Sequence, residues 1–114
     1  MKIGIISDTH GSLPGKVINI FKGVDYIFHA GDIGDIKIIR DLEKLCPVFA
    51  IYGNIDTWPI ISYYPRMLIK KVSLKTICMV HEIVNVKSMS YQLFKLQHIQ
   101  TRQTCQTCIN RTHL

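Results

Sequence analysis

The residues able to do chemistry in this 114-residue chain fall in four short groups: Asp8-Thr9-His10-Gly11, Gly31-Asp32, Gly53-Asn54-Ile55-Asp56 and a single histidine, His81. Each group closely follows an apolar run, at residues 3–6, 26–28, 48–52 and 77–80. Asp8, His10, Asp32, Asn54 and His81 offer two carboxylates, an amide oxygen and two imidazoles. Such a mixed nitrogen and oxygen set suits Mn²⁺, Fe, Zn²⁺ or Ni²⁺. The one-residue skip in Asp8-x-His10 lets two side chains near a strand end face one ion. Two ions held roughly 3.5–4 Å apart by a shared carboxylate generate a hydroxide nucleophile and clamp a phosphoryl group for in-line displacement. Taken singly, each group is ordinary: glycine followed by Asp or Asn is turn chemistry, and a histidine ending a strand is commonly just hydrogen-bonded. Their succession at four strand ends carries the metal reading.

The elements that must position them read as follows. Residues 3–6 form a continuous apolar run, as in a strand buried on both faces of a parallel sheet. Residues 13–23 place Leu13, Val17, Ile20 and Phe21 at spacings of three and four, one stripe of a helix, with Pro14 suited to its start and Gly23 to its end. The unit repeats: strand at 25–29, helix at 36–45, strand at 48–52. Strands alternating with helices indicate βαβ units and a parallel sheet, whose function gathers beyond the carboxyl ends of its strands. Residues 58–65 read as a packed aromatic loop, 67–72 and 76–81 as two strands about a turn, 85–100 as a helix, and 101–114 as a patternless polar segment.

Asp8-x-His10, Gly31-Asp32, Gly53-Asn54-x-Asp56 and a strand-end His81 resemble the first four motif blocks of the calcineurin-like metallophosphoesterases. The opening Met1-Lys2-Ile3-Gly4-Ile5-Ile6-Ser7-Asp8-Thr9-His10 is similar to their small prokaryotic phosphodiesterase branch. The resemblance implies a two-sheet α/β sandwich, here with an incomplete second sheet. It implies two divalent metal ions (Mn, Ni, Fe or Zn), Asp8 and His10 on the first, Asp32 bridging, Asn54 and His81 on the second. By the same resemblance Asn54 also meets the substrate phosphate, and the expected reaction is phosphodiester hydrolysis by a metal-bound hydroxide. The alternative is a non-catalytic scaffold of the same fold.

The chain also departs from the family pattern. Ile55 stands where many members carry a histidine that helps protonate the leaving group, so no catalytic acid is assigned. Glu82 replaces the glycine expected after His81, and the closing Gly-His-x-His block is absent, with Asn110-Arg111-Thr112-His113 a faint echo. The expectation is therefore a family domain over 1–82 followed by an atypical basic segment over 83–114, the product of a frameshifted or truncated gene, with impaired turnover.

Composition narrows the classes. The net charge of +6 is uneven: residues 1–57 hold six Lys and Arg against seven Asp and Glu, residues 58–114 eight against one, and all seven glycines lie at or before Gly53. The basic residues are scattered rather than clustered, which argues for a solvated face and against nucleic acid. No apolar stretch approaches the roughly 20 residues of a membrane helix, and none resembles a signal peptide, so a cytoplasmic protein without membrane contact is expected. Cys46, Cys78, Cys105 and Cys108 read as reduced thiols. The resemblance implies a small phosphate-ester substrate, and the exposed strand edges of an unfinished second sheet lead to the expectation of a homo-oligomer.

Overall fold

Strand β1 (Lys2–Ser7) buries every residue after Lys2, and it lies at the centre of the molecule because both of its faces are covered. The computed structural model describes residues 1–81 in full and residues 90–95 and 107–110 as backbone. After β1 come α1 (Gly15–Ile20), β2 (Tyr26–His29), α2 (Ile36–Glu43), β3 (Val48–Ala50) and the single-turn α3 (Ile60–Tyr63), then β4 (Met67–Val72), β5 (Lys75–Val80), β6 (Ser90–Lys95) and β7 (Thr107–Asn110). One sheet has the order β3-β2-β1-β6, parallel except for β6; the other has the order β4-β5-β7, with β4 antiparallel and β7 parallel to β5.

The period of two along a strand divides the core into two layers. Ile3, Ile5, Phe28 and Ala30 point toward the second sheet and pack on Val72, Ile77 and Met79. Ile6 and Ile27 point the other way, onto Val17, Phe21, Ile38, Ile39 and Leu42 from the helices. The result is helices, sheet and sheet in three layers, the α/β sandwich expected. Gly4 faces the helix side without a side chain, and a Cβ there would lie 3.0 Å from the Phe21 ring.

The first five elements follow the expected order within a few residues. Asp35 caps α2: its carboxylate accepts the Lys37 N–H at 2.9 Å, which sets the first turn. Two expectations fail. Residues 90–95, expected within a helix over 85–100, form β6 and pair antiparallel with β1 from Lys2↔Lys95 to Ser7↔Ser90. Residues 107–110, expected to lack structure, form β7 beside β5. In both cases a core strand had an edge left over, and pairing with it outweighs local periodicity, which carries no information on distant partners. Residues 58–65 are less packed than expected: Ile60 is buried and Tyr64 half-buried, but Trp58 is 76% exposed and Tyr63 66%. Among the described residues no helix is long and apolar enough to cross a membrane.

Candidate metal centre

β1 and β2 end side by side, and their following loops stay hydrogen-bonded to each other. Asp8 N–H donates to the Gly31 carbonyl at 2.9 Å, His10 N–H to Asp32 at 3.0 Å and Gly11 N–H to Ile33 at 2.8 Å. Both loops leave their strands through left-handed backbone: φ is 60° at Asp8, 50° at His10 and 55° at Asp32. Each costs on the order of 1 kcal/mol for a residue with a Cβ, and such conformations persist only where the surroundings over-determine them. Here the inter-loop ladder does so, and the turn swings Asp8, His10 and Asp32 over the same sheet edge.

The side chains converge there. Asp32 Oδ2 lies 3.3 Å from His81 Nε2 and 3.7 Å from His10 Nε2, and His10 Nε2 lies 3.7 Å from Asp8 Oδ1. One Asp32 oxygen thus stands between two imidazoles. With its amide nitrogen turned toward them, Asn54 lies 3.2 Å from each Asp32 oxygen and 3.1 Å from His81 Nε2. Donor atoms of Asp8, Asp32 and His81, all buried, fall within 4.8 Å of one another. All five residues singled out in the sequence meet at one place; His10 is the most exposed of Asp8, His10, Asp32 and His81, at 35% of its side chain.

The chemistry of this donor set fits a cation. His81 Nδ1 is 2.6 Å from the Ala30 carbonyl, which can only accept, so the ring proton sits on Nδ1 and Nε2 presents its lone pair to the cluster. That tautomer is the ligating one. Burial pushes the Asp32 carboxyl above the usual carboxylate range, opposed by the Ile55 N–H that donates to its Oδ1 at 3.1 Å and by the charge His81 carries when it is protonated, and reinforced by Asp8 alongside. A divalent ion neutralises such a pair of buried carboxylates. The Ser7 hydroxyl donates to Asp8 Oδ2 at 2.7 Å, orienting that carboxylate.

Two positions must be glycine for the cluster to close. A Cβ on Gly53 would overlap the Asp32 carboxylate and backbone nitrogen, and one on Gly31, whose φ is 104°, would lie 2.6 Å from His81 Nδ1.

Two buried polar residues hold the loops without joining the ligand set. Asp56 accepts three backbone N–H groups, from Ile33 at 3.1 Å, Gly34 at 2.9 Å and Gly53 at 2.8 Å, and so ties the loop after β2 to the loop after β3. The sequence pattern included Asp56 but assigned it no role. His29 was missed altogether. Its Nδ1 accepts the Gly31 N–H at 3.2 Å, and Thr9 Oγ lies 3.0 Å from Nε2. The one Thr9 hydroxyl proton goes to the Ile33 carbonyl at 2.8 Å, so Thr9 accepts from Nε2–H and the imidazole is neutral. A polar residue closing an apolar strand just before Gly31-Asp32 was the signal available.

Complete burial lowers the His29 pKa from 6.5 to about 3, the nearby Asp8 charge opposing and His81 adding to the shift. The unfolded chain therefore binds a proton below about pH 6.5 that the fold refuses, and this contribution to stability is lost as pH falls from there toward 3. Between pH 7.5 and 5 the loss is about 2 kcal/mol. Urea unfolding at the two pH values checks it: the stability advantage of the wild type over His29→Gln shrinks by about that amount on acidification. An advantage independent of pH contradicts it.

Beside Asn54 and His81 opens a cleft of about 400 Å³, lined also by Tyr52, Gly53, Asp56, Ile61 and Arg66. Of the other residues raised by sequence, Ile55 contributes its backbone N–H to Asp32, and its side chain is exposed. Cys46 and Cys78 are half-buried. Glu82, Cys105, Thr112 and His113 lie outside the described residues, as does the expected segment boundary near 82.

The strand-end cluster of Asp, His, Asp, Asn and His stands on a two-sheet α/β sandwich, and comparison with known proteins places that sandwich in a family. The model of the calcineurin-like phosphoesterase superfamily domain matches residues 1–109, and the chain belongs to that family. It is 43% identical over 61 residues to a probable metallophosphoesterase of Methanothermobacter thermautotrophicus, a match covering 49% of this chain and 36% of that protein. It is 44% identical over 61 residues to a phosphodiesterase of Methanocaldococcus jannaschii, covering 49% of this chain and 37% of that protein. These matches span roughly a third of the length of the curated relatives. Among solved structures, the fold is similar to that of Yfce, a phosphoesterase from E. coli, with TM-score 0.56, 20% identity, and coverage of 72% of this chain and 58% of the other.

Proposed function

We propose that this chain carries the metal centre of a phosphodiesterase acting on small phosphate esters. The observation that carries the reading is the Asp32 carboxylate placed between the two imidazoles, with Asp8 and Asn54 beside it. In this reading Asp8 and His10 hold one divalent ion, Asn54 and His81 a second, and Asp32 both. Bound ions supply an activated water and neutralise the phosphate charge. The chain's own contribution is positional. Ser7 and Ile55 fix the carboxylate oxygens, Ala30 fixes the His81 tautomer, and the Asn54 amide, facing the cleft, orients a phosphate oxygen.

Manganese is the first ion to try, since hard oxygen ligands accompany the imidazoles. After dialysis against Mn²⁺ or Ni²⁺, the purified protein is expected to retain metal by elemental analysis and to hydrolyse bis(4-nitrophenyl) phosphate. EDTA is expected to abolish hydrolysis and added Mn²⁺ to restore it. Neither bound metal nor hydrolysis is the result that favours the scaffold reading instead.

A further inference from the structure

We infer that Arg66 forms an anion subsite in the cleft, so that the ester group of the substrate carries a negative charge beyond that of the scissile phosphate. The inference rests on the phosphodiesterase reading above and deepens it. The cleft begins at Asn54 and His81, does not include Asp8 or His10, and extends to Tyr52, Ile61 and Arg66. A phosphate anchored at Asn54 therefore has this cleft available for one of its ester groups. At about 400 Å³ the cleft is far larger than a phosphate and takes an organic substituent.

Its walls say what kind of substituent. Tyr52 is half-buried and Ile61 46% exposed, an aromatic and an aliphatic surface suited to a flat or apolar body. Arg66 is the sole cation among the described residues that line it. Among the described residues it has no carboxylate partner and no hydrogen bond, whereas the one carboxylate of the lining, Asp56, is committed to three backbone N–H groups. The base of Arg66 is nonetheless held, because the Tyr52 N–H donates to the carbonyl of the preceding residue, Pro65, at 3.0 Å. A guanidinium anchored at its backbone, facing a cleft and unpaired, presents a fork of donors that matches phosphate or carboxylate oxygens.

The test uses the full chain loaded with Mn²⁺ and two chromogenic diesters, thymidine 5′-(4-nitrophenyl phosphate) with and without a 3′-phosphate. Arg66→Ala is expected to reduce kcat/KM for the 3′-phosphorylated diester about tenfold more than for its partner, Arg66→Lys less so because a point charge replaces the fork. Equal losses on both diesters overturn the inference. A 3′-carboxymethyl analogue tells a carboxylate preference from a phosphate one. Calorimetric binding of thymidine 3′,5′-bisphosphate against thymidine 5′-monophosphate, in wild type and Arg66→Ala, reads the subsite without turnover. If neither diester is hydrolysed by the wild type, the phosphodiesterase reading fails and binding alone decides Arg66. A wild-type preference for the bisphosphate that Arg66→Ala abolishes supports the subsite, and equal affinities overturn it.

Discussion

Replacing Asp32 by Asn is expected to cost more than about a hundredfold in phosphodiester hydrolysis, beyond what loss of a mere orienting partner costs a metal site, and to leave the metal-free fold intact or firmer. Asn keeps a carbonyl oxygen for the Ile55 N–H and tolerates the left-handed φ of 55°. What it removes is the negative charge between His10 and His81. The two effects separate because burial already works against that charge. With its pKa raised, the Asp32 carboxyl binds a proton more tightly in the fold than in the unfolded chain. Its ionisation therefore weakens the metal-free fold as pH rises past the unfolded value, and at neutral pH Asn removes that weakness. Metal content by elemental analysis, turnover with Mn²⁺ and a thermal melt in EDTA together test it. Unchanged hydrolysis, or a melt lowered by several degrees with metal retained, refutes the assignment.

Asp56→Ala is expected to be the most damaging single change to the fold. Three buried N–H groups from two loops lose their shared acceptor at once. Hydrogen bonds to a charged group are worth about 1.5–3 kcal/mol each and do not add fully, which puts the loss at about 4 kcal/mol. Domains have only about 5–15 kcal/mol in total, so the variant is expected to unfold at much lower urea and to bind no metal. Asp56→Asn discriminates between loss of the brace and loss of charge. Its one oxygen can serve Ile33 and Gly53, but its amide then faces the Gly34 N–H, so its stability falls between the other two. An Asn variant no more stable than Ala, or an Ala variant within about 1 kcal/mol of the wild type by circular dichroism, contradicts the bracing role.

These cases show where the sequence was legible. Asp8, His10, Asp32, Asn54 and His81 could be chosen because each closely follows a short apolar run bounded by turn residues, which reads as a strand, and parallel strands send their carboxyl ends to one edge. The three parallel strands and both larger helices were readable for the same reason, since their apolar spacing is local. β6 and β7 were not, because a six-residue strand such as Ser90–Lys95 gains its stability from the free edge of β1, more than 80 residues earlier in the chain.

By itself, then, the amino-acid order determined the donor types, the strand ends that carry them and the family they resemble. Only the tertiary structure decided that His81 donates to Ala30, 51 positions away, leaving its other nitrogen for the cluster. It alone made Asp56 a brace, His29 a neutral link from Thr9 to Gly31, and Arg66 a cation lining the cleft beside Asn54 with no partner among the described residues. The physical reason is common to all of them. A residue type and its neighbours set what a side chain can donate or accept, but which buried group it must satisfy depends on chain segments brought together only when the sheet forms.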